Sequence, residues 1–146
     1  MAFNHPVPSP LPAQAVAHNN YGAAQVPGTI FPSATRAAAT YTSDAIHNPN
    51  ALGVRLYVNV TDDGASGTVT VELQTKDPVS DTWLRIAGAV TAALTDTAVP
   101  STLIVYPGVT AAANLAVSQP VGTTWRVVAV VATNDVVFSI GAEHLL

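Results

Sequence analysis

Four histidines, His5, His18, His47 and His144, and nine Asp and Glu residues are the groups from which this chain could build acid–base or metal chemistry. No histidine stands at ligand spacing from another histidine or from a carboxylate, so no metal site is expected. Each histidine reads as a solvated or capping side chain. Asp62-Asp63-Gly64 has the opening of a calcium loop, but Ala65, Ser66, Gly67 and Thr68 follow and no Glu closes it, which leaves a turn. Asp77 and Asp81 flank Pro78 and suit the capping of turn amides better than acid–base work. There is no Cys, no G-x-S-x-G elbow and no glycine-rich phosphate loop. Asn59-Val60-Thr61 fits the N-glycosylation acceptor pattern, but it falls in an expected strand with no secretory signal ahead of it and reads as chance. Enzymatic activity and a cofactor are therefore not expected.

The aromatic residues are the next candidates. Trp83, Tyr106 and Trp125 are expected in core or interface positions, and Trp83 or Tyr57 is the candidate for a sugar-stacking platform. Arg126, beside Trp125, is expected in a cation–π or ion-pair contact. Only 10% of the residues are charged, against roughly 25% in an ordinary globular domain. A surface this poor in charge loses little hydration when another protein covers it. The net charge is −4 and the five Lys and Arg are scattered, which argues against a nucleic-acid partner. No apolar run is long enough to cross a membrane as a helix, so no membrane partner is expected.

What must position these residues changes in character along the chain. Arg36 is the first charged residue, and six of the 11 prolines lie in the first 32 residues. In the stretch HPVPSPLP, proline alternates with other residues, fixing φ and pushing each preceding residue toward extended conformations. Residues 1–32 are therefore expected to form an extended arm; at roughly 3.1 Å per residue, some 29 residues reach on the order of 90 Å. Disordered tails are usually rich in charge. This one instead carries spaced apolar residues: Phe3, Val7, Leu11, Val16, Tyr21, Val26, Ile30 and Phe31. Such a segment suits docking along a neighbouring subunit, and Phe3, Val7, Leu11, Val16, Tyr21 and Phe31 are its candidate contacts.

Residues 33–146 have a period of two. Val54, Leu56, Val58 and Val60 alternate with polar residues, as do Val69, Val71 and Leu73, and each set predicts a half-buried strand. The turn cluster at 62–67 between them predicts a hairpin. A second hairpin is expected from 124–133 and 136–141 around Asn134-Asp135. Further strands are expected over 35–43, 82–86 and 101–106. The alanine-rich stretches 88–98 and 109–118 are expected to be loop or irregular strand, with one helical turn at most. About seven short strands predict an all-β fold, an antiparallel β-sandwich or barrel of jelly-roll type.

The pattern SATRAAATYTSDAIHNPNALGVRLYVNVTDDGASGTVTVELQTKDPVSDTW, with LIVYPGVTAAAN, TWRVVAVV and a closing FSIGA, resembles small virion structural proteins of tailed bacteriophages, most of all head decoration (capsid cement) proteins. The resemblance spans roughly residues 33–146. It implies a sandwich or barrel that assembles as a homotrimer on the capsid exterior, with the major capsid protein as partner and capsid stabilisation as its role. It implies synthesis in the cytoplasm of the host bacterium, and it carries over no site residue. A tail-tube or head–tail connector subunit, or a carbohydrate- or receptor-binding domain, is the alternative.

Overall fold

The computed structural model describes residues 28–48, 50–97 and 101–146. Ten strands follow one another: β1 (Gly28–Arg36), β2 (Thr40–Thr42), β3 (Ile46–His47), β4 (Gly53–Asp62), β5 (Thr68–Lys76), β6 (Trp83–Val90), β7 (Ser101–Val105), β8 (Ala116–Val117), β9 (Thr124–Ala132) and β10 (Val136–Leu145). No helix occurs among the described residues. Sheet I has the order β1-β10-β4-β7-β8, and sheet II the order β2-β9-β5-β6, with β3 also on β9. The two sheets pack face to face as a β-sandwich.

The alternation seen in the sequence builds this core. Val54, Leu56, Val58 and Val60 of β4, Leu103 and Val105 of β7, and Val136, Phe138 and Ile140 of β10 face inward from sheet I. Val69, Val71 and Leu73 of β5 and Trp125, Val127, Ala129 and Val131 of β9 meet them from sheet II. Each fully buried Val or Leu is worth about 1.5–3 kcal/mol relative to exposure, so these interleaved rows hold the sheets together.

Neither expected hairpin forms. β4 pairs with β10 and β7, whereas β5 pairs with β9 and β6. The 62–67 turn therefore carries the chain from sheet I to sheet II, and the 133–135 turn carries it back from β9 to β10. Period-two alternation places one face of each strand on a core. It is equally satisfied by strands side by side and by strands facing each other across the core. The turn chemistry differs as well: in the β9–β10 turn the left-handed residue is Thr133, φ 75°, ahead of the Asn-Asp pair.

The two crossovers lie against each other. Asn134 Nδ2 donates to Gly64 O at 3.1 Å and to Ser66 Oγ at 2.9 Å. A Cβ on Gly64 would stand 2.8 Å from Asp135 O, and Gly64 has φ +56°, so glycine is required on both counts. Asp62 Oδ1 and Asp63 Oδ1 accept the amides of Gly64 and Ala65 at 2.9 and 3.0 Å, closing the turn.

The expected strand over 35–43 is divided. β1 ends at Arg36 in sheet I, and β2 starts at Thr40 in sheet II. The expected boundary between arm and domain at residue 32 falls inside β1, where Gly28, Thr29 and Phe31 already pair with β10. Pro32 fits there because β1 is an edge strand with irregular register on both sides of Phe31. The two alanine-rich stretches are loop and irregular strand. Gly88, φ 79°, bulges β6, and Thr91 and Leu94 continue bonding β5 through Val71 and Val69. Residues 109–115 turn through Asn114, φ 63°, into β8.

Candidate functional site

The strongest concentration of polar side chains lies on the outer face of sheet II. Gln74, Lys76 and Glu72 project from β5, Arg126 from β9, and Trp83 and Arg85 from β6, because these positions alternate with the buried row. Register brings them together: Gln74 lies between Arg85 and Arg126, and Lys76 opposite Trp83. Arg85 Nε pairs with Glu72 Oε2 at 2.7 Å, and Gln74 Nε2 donates to Glu72 Oε1 at 2.6 Å. Arg126 Nε donates to Gln74 Oε1 at 2.8 Å and lays its guanidinium 4.2 Å from the centre of the Trp83 ring. Lys76 Nζ stands 5.8 Å from the same ring and pairs with Asp81 at 2.6 Å. Three of the five cationic side chains are thus fixed in one chain of contacts. Each link contributes about 0.5–1 kcal/mol at such exposed sites, so its main effect is to hold the surface in one shape.

The β5–β6 turn that carries this cluster is capped as expected. Asp77 Oδ1 accepts from Val79 N at 2.8 Å and Oδ2 from Ser80 Oγ at 2.6 Å. The Ser80 hydroxyl first, and then the Val79 amide, hold the Asp77 carboxyl below its ordinary range.

On the outer face of sheet I, Tyr57 Oη and Arg55 Nη1 both donate to Glu143 Oε1, at 2.7 and 3.0 Å. Beside them is a shallow cleft of about 420 Å³, lined by Arg55, Ile104, Tyr106, Val109, Glu143 and Leu146. Tyr106 is half-buried there and donates to Leu146 O at 3.0 Å.

Other candidates serve the core. Trp125 is fully buried, and its Nε1 donates to His144 Nε2 at 3.1 Å. His144 corrects the solvated reading: at 9% exposure it lies on the inward row of β10, where the 2.0 period places it after Ile140 and Ala142. Desolvation pushes its pKa down, and its Nδ1 is buried without a hydrogen-bond partner among the described residues. Phe31 packs edge-on against Phe138, ring centres 6.2 Å apart, and seals the open side between β1 and β2. Arg36 covers that seam, 4.4 Å from the Phe138 ring and 5.4 Å from that of Phe31. It also donates to Pro32 O at 2.8 Å and Phe138 O at 2.9 Å.

The structure thus joins Trp83 to Arg126, which the sequence had placed next to Trp125 alone. Neither Tyr106 nor Trp125 belongs to this cluster. His47 is exposed, and Phe3, Val7, Leu11, Val16, Tyr21, His5 and His18 lie outside the described residues. Among the described residues, no three His, Asp or Glu side chains gather as a metal site. Sequence reasoning missed the Gln74–Arg126–Trp83 contacts, since they need the β5–β9 and β5–β6 registers. Comparison with protein-family models, curated proteins and solved structures returns no match.

Proposed function

We propose that this protein is a non-enzymatic virion component that binds the shell of a tailed bacteriophage head from outside and stabilises it. The observation that carries the reading is the junction at Gly28. There, 27 residues without one charged side chain run into β1, an edge strand of a two-sheet core. A rigid sandwich supplies the footprint, and the arm extends it toward a neighbouring subunit. The pre-shaped face around Trp83 and the low overall charge support the same reading, since both reduce what must be ordered or desolvated on contact. Stabilisation follows from mass action: a protein that binds the assembled shell and not the disrupted one favours the assembled state. The partners under this reading are the major capsid protein and other copies of this chain, as a homotrimer.

The sugar-binding alternative gains nothing from Trp83, because the Arg126 guanidinium, tied to Gln74, already stacks on its ring. Electron microscopy of heads incubated with the full chain tests the proposal. Added density at regular positions on the outer surface supports it. Rings or tubes formed by the protein alone, with bare heads, would instead make it a tail or connector subunit.

A further inference from the structure

Four strands or strand sets border the two sheets, and three of them are blunted. β1 carries Pro32 and two irregularities of register, β8 has two residues, and the border on β9 is split into three-residue β2 and two-residue β3. β6 is different. It has eight residues and no proline, pairs among the described residues only with β5, and keeps regular register over Trp83–Arg85 before it bulges at Gly88. Thr82 O accepts from Asp77 N at 2.8 Å, which points the Thr82 carbonyl toward β5. Backbone groups alternate in direction along a strand, so those of Leu84 also face β5 and those of Trp83 and Arg85 face away. The unpaired edge over Trp83–Arg85, ahead of the bulge at Gly88, is a template for another strand. At its margin Leu84, in register with Thr75 and so on the core side, is 51% exposed.

The arm contains a segment with a matching property. Prolines occupy positions 6, 8, 10 and 12, and Val7, Ser9 and Leu11 lie between them. In an extended chain, alternate residues direct their N–H and C=O to opposite borders. All four missing N–H groups therefore fall on one border, and Val7, Ser9 and Leu11 present intact donors and acceptors on the other. Such a segment pairs on one side only and stops further strand addition on the other. This chain already places a proline in an edge strand at Pro32.

We propose that residues 6–12 of one copy add to the β6 edge of a neighbouring copy as an antiparallel, self-terminating strand. This rests on the reading of the arm as a docking segment. Leu11 and Ser9 bond the outward groups of Trp83 and Arg85, where β6 keeps regular register. Their side chains lie on the outer face near Trp83, and the proline rings cover Leu84. Every strand pair in sheet II is antiparallel, which sets the direction. The Phe31–Arg36–Tyr41 seam puts β1 beside β2, and β6 lies next to β7 and β8. The arm therefore leaves from one side of the sandwich and is received on the other. A head-to-tail contact of this kind links successive copies, as a ring where the rotation between them closes and as a filament where it does not.

Hydrogen exchange and sedimentation of the full chain, with no shells present, test this. The Trp83 and Arg85 amides exchange at least about tenfold more slowly than open edge amides do, and the protein sediments as a species of more than one copy. Ser9→Pro, which removes a donor on the pairing border, abolishes both effects; Pro8→Ala, on the other border, leaves both intact. Fast exchange of the two amides in the unaltered chain, or protection that survives Ser9→Pro, overturns the pairing. Protection in a monomer overturns its assignment to a neighbouring copy. Shell binding is read separately, so a chain that pairs in this way yet ignores phage heads would refute the decoration reading and leave the strand pairing standing.

Discussion

His144 is where a single residue departs furthest from what its type suggests. Its Nε2 accepts from Trp125, so the proton of the neutral ring sits on Nδ1, which is buried and unpaired. Protonating Nε2 would set a donor against the indole N–H. Burial lowers the folded-state pKa, while the unfolded chain titrates near 6.5. Below that value the unfolded state takes up a proton that the folded state refuses. Stability is therefore full above about pH 6.5 and falls as pH drops toward the lowered folded value, by at most about 1.4 kcal/mol per pH unit. Urea midpoints at pH 7.5 and 5.5 should show this slope, and His144→Leu should flatten it. The histidine's place in the core was legible in the alternation of β10, where Ile140, Ala142 and His144 form one row; residue type obscured it. A second test at this scale is Phe138→Ala, which removes a fully buried ring shared by the core and the Arg36 seam. Its expected cost is about 3–5 kcal/mol, read as a loss of unfolding free energy.

At the level of elements, strand positions could be read from the sequence but strand partners could not. β4, β5, β9 and β10 lie where apolar and polar residues alternate. Alternation carries no information about which sheet a strand joins, and turn clusters such as 62–67 serve a crossover as well as a hairpin. What makes the crossovers specific is their contact with each other, through Asn134, Gly64 and Ser66. Those residues are some 70 positions apart, and no local pattern links them. Asn134→Ala should cost about 1 kcal/mol by removing two side-chain hydrogen bonds. Gly64→Ala should cost about 1–3 kcal/mol, because it meets Asp135 O and forces a left-handed φ on alanine. Thermal unfolding of the two variants checks the order. If Gly64→Ala were as stable as the unaltered protein, the crossovers would not be in close contact. β1 shows the opposite difficulty. Pro27 and Pro32 made its first five residues read as arm, but an edge strand with irregular register accommodates proline.

For the whole molecule, fold class was legible in the sequence. The sandwich follows from many short alternating strands and turn signals. The surface cluster around Trp83 needed registers that no single sequence segment contains. The molecule combines a two-sheet core, an edge strand β6 that is regular over Trp83–Arg85, and an uncharged segment ahead of Gly28. The proposed shell binding is tested most directly by co-sedimentation with purified heads of tailed phages, comparing the full chain with residues 28–146. Circular dichroism first establishes that both have the same β-fold. The full chain should pellet with heads and raise the temperature at which they rupture, and the shortened chain should bind at least about tenfold more weakly, the loss of roughly 1.4 kcal/mol of contact. A full chain that stays in the supernatant, or a shortened chain that binds and protects heads equally well, would contradict it.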